Sequence, residues 1–227
     1  MNVGVLFSSG LDSTYLVYKN LKEGNTVQPI YIDLMSRVVT KLEKNRVELL
    51  YKEFHKEFKD QIKKVLYPLE IQHIDVHSKN VRHHQQPIWM FILLYLQELD
   101  VDEFQLGIVL GDPEREKIIE NDLNLYKSYQ FFSKKELKPL TFPLRYIPKE
   151  EIARRLPDNY LNLVVSCFKP LKITESENEE IVRYEACGIC VCCIDTLKTN
   201  YYGLNMDKAP KDFYDGFKHL LNNKKII

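Results

Sequence analysis

Apolar positions come in short blocks that follow two rhythms. Residues 3–7 are continuously apolar and short, which predicts a buried strand. A hydroxyl-rich turn over 8–14 follows, and Tyr15, Leu16, Tyr18 and Leu21 then recur at helical spacing. Gly24 and Asn25 supply a stop, and residues 27–34 read as a second strand with Asp33 at its C-terminal end. From about 35 to 59, Leu42, Val47, Leu50, Phe54 and Phe58 mark one face of a long amphipathic helix, whose Lys and Glu residues form a solvated face.

Residues 69–76 predict a third strand, and the polar stretch 78–86 a loop. Pro87 is placed as the first residue of a helix over 88–99 that is apolar almost all round, as a helix buried against a sheet would be. A fourth strand over 103–110 is broken by Gly111, Asp112 and Pro113 before a charged helix over 114–126. Residues 141–144 suggest a short fifth strand, and Pro148 opens a helix with acidic residues in its first turn. Strands separated by helices predict an α/β fold, a doubly wound and mostly parallel sheet. The expected organisation is an α/β domain over 1–160 carrying a C-terminal segment over 161–227.

Composition narrows the function. The chain has 227 residues, 44% of them hydrophobic, enough to bury the core of one domain. Lys+Arg and Asp+Glu are both 32, so the net charge of zero gives no reason to expect bulk nucleic-acid binding. The longest apolar run, from Ile88 to Leu96, is about half the length that spans a bilayer, and no signal peptide is visible. A soluble, cytoplasmic protein without membrane contact is expected.

The turn behind the first strand has the chemistry of an anion site. The first N–H groups of a helix have no intrahelical acceptor, and the dipole there favours negative charge. Gly10 lets the backbone approach, Ser8, Ser9 and Ser13 offer hydroxyls, and Phe7 and Leu11 flank the turn. Asp12 suits such a site if it helps hold a Mg²⁺ ion bridging phosphates, although Ser and Asp are also common helix starters. Asp33 could touch a ribose or the base side of a nucleotide, since ligands of open α/β sheets gather beyond the strand ends. Arg82, His83, His84 and Gln85, just before the apolar helix, are candidates for substrate contact.

Five cysteines occur, four of them between Cys187 and Cys193. Overlapping Cys-x-x-Cys turns supply thiolate pairs, so Cys167, Cys187, Cys190 and Cys193 form a credible Zn²⁺ site, with Cys192 left over. A redox dithiol or an iron–sulfur cluster are the alternatives.

The turn lacks the Gly-Lys-Ser/Thr ending of a P-loop and the spaced glycines of a dinucleotide fingerprint. Ser8 to Ser13 instead resembles the Ser-Gly-Gly-x-Asp-Ser loop of the PP-loop ATP pyrophosphatase superfamily, with Ser9 where that loop has its first glycine. Together with Asp33, the stretch from Phe142 to Ile152, Ser166-Cys167 and the Cys187, Cys190, Cys193 spacing, the chain is similar to the 7-cyano-7-deazaguanine synthase (QueC) family from about Val3 to Leu197. That resemblance implies ATP, Mg²⁺ and Zn²⁺. It also implies activation of the carboxylate of 7-carboxy-7-deazaguanine with release of pyrophosphate, then attack by ammonia and ATP-dependent dehydration to the nitrile. It places Ser9, Asp12 and Ser13 in the catalytic loop and Asp112 and Arg115 near the deazapurine, and admits a homodimer. Arg82 or Arg115 would meet the substrate carboxylate, a group that a guanidinium matches with two parallel hydrogen bonds. Residues 83–87 and 111–116 depart from the family's usual segments, and the spacer after Cys167 is longer. Two other outcomes are a relative from a defence system that joins the activated deazapurine to a protein amine, and a catalytically silent nucleotide-binding subunit.

Overall fold

The computed structural model describes residues 1–34, 39–68, 70–71, 85–109, 113–165, 171–174 and 182–185, with side chains over 1–33, 42–68, 87–109 and 116–165. The N-terminal half runs β1 (Asn2–Leu6), α1 (Leu11–Lys22), β2 (Thr26–Ile30), β3 (Asp33–Leu34), α2 (Val39–Glu57), β4 (Glu70–Ile71) and α3 (Gln85–Tyr95). The remainder runs β5 (Glu103–Leu106), α4 (Pro113–Ser128), β6 (Leu140–Thr141), α5 (Lys149–Arg155), α6 (Asp158–Leu161), β7 (Leu171–Thr174) and β8 (Val182–Glu185). Strands β2-β1-β5-β6 form a parallel four-stranded sheet in that order. In register, Val3 of β1 faces Val27 of β2 and Glu103 of β5.

Alternation along β1 explains why both faces are covered. Val3 and Val5 point into a core built from α1, α2, α5 and α6, with Leu16, Leu50, Phe54, Ile152 and Tyr160 buried around them. Leu6 points the other way, against a second core of Ile30, Phe104 and Leu106 with Met90 and Leu93 of α3 and Tyr126 of α4. A strand buried on both faces has to be apolar throughout, and the run over 3–7 is. The doubly wound α/β expectation holds. No helix among the described residues is long and apolar enough to cross a membrane.

Two expectations need correction. The second strand is split, with Tyr31 and Ile32 lying between β2 and β3, so Asp33 starts β3 and does not close β2. Of the expected third strand, Glu70 and Ile71 form β4, paired with β3, and 69 and 72–76 lie outside the described residues. The outer edge of β2 is instead lined by the segment 61–66: Val27 N–H donates to Gln61 O at 2.7 Å, and Leu66 N–H to Pro29 O at 2.8 Å. Pro29 is tolerated because its missing donor falls on this edge. Finally, α3 is not buried all round: Met90, Ile92 and Leu93 are covered, but Phe91 is 47% and Tyr95 65% exposed.

Asp122 of α4 is buried, and burial pushes its carboxyl up to about 7. The folded chain then holds that proton more tightly than the unfolded one, so stability should fall as pH rises from about 4 towards 7. Asp122→Asn is expected to flatten this slope and to raise the urea midpoint at pH 8. An unchanged pH profile in the variant would show that the carboxyl does not titrate in this window.

Candidate functional site

β1 delivers the chain to the turn, held by a bond from Phe7 N–H to Ile30 O at 2.8 Å. Gly10 occupies the N-cap position of α1 in extended conformation and has no side chain to cap with, so Asp12 and Ser13 are not the cap. Ser13 closes the turn from within the helix: its Oγ accepts from Ser8 N–H at 3.2 Å, donates to Gly10 O at 3.2 Å and lies 3.4 Å from Ser8 Oγ. Thr14 N–H bonds to Gly10 O at 2.9 Å, whereas the N–H groups of Leu11, Asp12 and Ser13 precede any intrahelical acceptor.

Ser9 takes a left-handed conformation, φ 61°, which a side chain disfavours. It is fully buried, its Oγ has no hydrogen-bond partner among the described residues, and its carbonyl accepts from Val165 N–H at 3.1 Å. That donor is delivered by α6, whose Tyr160 stacks on Phe54 of α2 at 4.4 Å and donates to Glu57 at 2.8 Å. Burial first, then the bond to Glu57, raise the pKa of Tyr160, so its hydroxyl stays a donor. The turn conformation is thus fixed by packing that comes from far along the sequence. Glycine takes this conformation without the Cβ clash, so Ser9→Gly should relieve strain and raise stability by about 1 kcal/mol. Ser9→Val should destabilise strongly. Thermal unfolding of both variants checks this, and a Gly variant less stable than the parent would contradict it.

In front of the turn lies a cleft of about 540 Å³, counting the part open to solvent. Its floor is the C-terminal ends of β1, β2 and β5, with Leu6, Phe7, Ile30, Tyr31, Leu106, Gly107 and Ile108. Ser8 and Ser13 line it at the turn, and Ile32, Glu43 of α2 and Trp89 of α3 complete the walls. The chain goes from β1 to β2 on one side and later to β5 on the other, so this is the point where strand order reverses. Gly107 makes the arrangement fit. A Cβ there would lie 2.8 Å from Asp12 C, 2.9 Å from Asp12 O and 2.9 Å from Ser13 N, all backbone atoms of the first turn of α1.

Of the expected nucleotide residues, Phe7, Ser8 and Ser13 line the cleft, Ser9, Gly10 and Leu11 shape the turn, and Asp12 sits half-buried in the first turn of α1. Asp33 is not among the lining residues. It is 2% exposed, with one oxygen 3.3 Å from Lys44 Nζ and the other without a hydrogen-bond partner among the described residues. Arg82, His84 and Asp112 lie outside the described residues, and of Arg115 only the place in α4 is described. Cys167, Cys187, Cys190 and Cys193 also lie outside them; among the described residues no group of three His, Cys, Asp or Glu could hold a metal ion. Sequence reasoning passed over Gly107, Tyr31, Glu43 and Trp89. An isolated glycine in a strand pattern signals close backbone approach and could have revealed Gly107. Glu43 gave no signal, being one charge among many on an amphipathic helix.

No protein-family model matches the chain, and no curated protein is similar to it. Among solved structures it is similar to the U34-tRNA thiolase NcsA from Methanococcus maripaludis with its 4Fe-4S cluster, at 14% identity and a TM-score of 0.48, over 100% of this chain and 73% of that one. Identity and score are too low for residue roles to pass from one chain to the other.

Proposed function

We propose that the chain is an ATP-dependent ligase that activates a carboxylate by adenylation, of the 7-cyano-7-deazaguanine synthase type. One observation carries this reading: a serine-rich turn at the N-terminus of α1, without a lysine, opens into a cleft at the strand-order switch point. The N–H groups of Leu11, Asp12 and Ser13 receive the β and γ phosphates, and the apolar walls receive the nucleoside. The substrate carboxylate attacks the α phosphorus, the bond from that phosphorus to the oxygen bridging to the β phosphorus breaks, and pyrophosphate leaves into the turn, whose donors are already placed for its charge. Ammonia then displaces AMP to give the amide; the amide oxygen attacks a second ATP at its α phosphorus, pyrophosphate leaves, and loss of the two N–H protons expels that oxygen with AMP to give the nitrile.

The Asp12 carboxylate and the serine hydroxyls are hard oxygen donors, a set that fits Mg²⁺. Such an ion would neutralise charge on the phosphates, while Asp12 itself keeps its place in the first turn of α1. The thiolates of Cys167, Cys187, Cys190 and Cys193 are a donor set for Zn²⁺ that would staple the C-terminal segment. Elemental analysis of purified protein should give about one zinc per chain, and Cys187→Ala should lose it together with solubility. Iron with labile sulfide in its place would overturn the zinc assignment.

The departures at 83–87 and 111–116 favour a second acceptor, a protein amine. Calorimetry with 7-carboxy-7-deazaguanine and a nonhydrolysable ATP analogue tests the first reading. Saturable binding of both is expected, and no heat from the deazapurine at millimolar concentration would refute that substrate.

A further inference from the structure

We propose that Glu43 sets the base specificity of the cleft by accepting a hydrogen bond from the exocyclic amine of adenine; the inference rests on the nucleotide reading above. The cleft has two chemically different ends. At one, Ser8 and Ser13 lie at the N-terminus of α1, which Gly107 seats against the end of β5, so the polar turn closes over the junction of β1 and β5. At the other, beyond β2, Glu43 lines the cleft beside Tyr31. Because β2 flanks β1 on the side away from β5, a ligand whose phosphates sit at the turn projects its base across β1 towards Tyr31 and Glu43. The remaining walls are apolar, with Leu6, Ile30, Ile32 and Ile108 and the flat indole of Trp89, surfaces suited to a heteroaromatic ring.

A carboxylate at the far end has a defined preference. Ionised Glu accepts hydrogen bonds only, so it repels the phosphates and selects a donor. Tyr31 donates to Glu43 Oε2 at 3.3 Å, which orients the carboxylate. Adenine presents an amine at position 6, which satisfies this acceptor. Guanine presents a carbonyl oxygen there, which sets lone pair against lone pair.

The test is calorimetry of the full chain with ATP, GTP and 2′-deoxy-ATP, for the parent and for Glu43→Gln. The parent is expected to bind ATP at least about tenfold more tightly than GTP. In Glu43→Gln the new side-chain amide can turn its N–H₂ towards the guanine oxygen, so the ATP-to-GTP ratio should fall by about tenfold or more, with the ratio of ATP to 2′-deoxy-ATP unchanged. Tyr31→Phe, which removes the orienting hydroxyl, should lower the base ratio in the same direction by a smaller factor and guards against misfolding of the Glu43→Gln variant. A base ratio that neither variant moves overturns the role of Glu43 while leaving the nucleotide site standing. A loss of discrimination against 2′-deoxy-ATP in Glu43→Gln overturns it in favour of a ribose contact. No nucleotide binding by the parent overturns the nucleotide reading, and this inference with it.

Discussion

Gly107→Ala is expected to destabilise the protein by about 1–3 kcal/mol and to weaken ATP binding by tenfold or more, the range for forcing one extra carbon into a filled space. The added Cβ would approach Asp12 C, Asp12 O and Ser13 N to 2.8–2.9 Å, and all three are backbone atoms that cannot rotate aside as a side chain would. Either the end of β5 or the first turn of α1 has to retreat. The first alternative disturbs the register that places Leu6 opposite Leu106. The second carries the N–H groups of Asp12 and Ser13 away from the position proposed to receive the phosphates. Because the same atoms serve packing and binding, the two losses should appear together in urea unfolding and in calorimetry with an ATP analogue. A variant with parental midpoint and affinity would mean that the strand end adapts freely and that the turn is not positioned by Gly107.

Asp12→Asn is expected to separate function from folding. Asp12 is half-buried in the first turn of α1, where a negative charge gains about 0.3–1 kcal/mol from the helix dipole, so the neutral isostere should cost no more than that in stability. Turnover should fall by about 100- to 1000-fold, the scale seen when a single group that stabilises transition-state charge is removed. Steady-state rates alongside thermal unfolding make the comparison. Full activity in the variant would reduce Asp12 to a favourable charge at a helix start.

The central part of the fold was legible because parallel strands buried on both faces leave compact apolar blocks. Val3 to Phe7 and the blocks around Val27 and Phe104 announce β1, β2 and β5. The edge segment 61–66 escaped notice, since it joins the sheet through backbone bonds to Val27, Pro29 and Tyr31 and carries a mixed side-chain pattern. The exposed Phe91 and Tyr95 show the converse: an apolar helix sequence does not reveal which of its faces is covered. At the site, the hydroxyl-rich turn was readable because its residues are consecutive. Its left-handed Ser9 and its tie to Val165 were not, being consequences of tertiary packing. Part of the cleft wall is assembled from Tyr31, Glu43 and Trp89, three separate segments of chain, and Glu43 looks like any solvated charge until α2 is docked.

Adenylation cuts ATP between its α and β phosphates. Phosphorus-31 spectra of the parent protein incubated with ATP, Mg²⁺, 7-carboxy-7-deazaguanine and ammonia should show AMP and pyrophosphate growing together, with neither formed by the Asp12→Asn variant above its residual rate. ADP with inorganic phosphate as the products, or no nucleotide consumed by the parent protein, would contradict it.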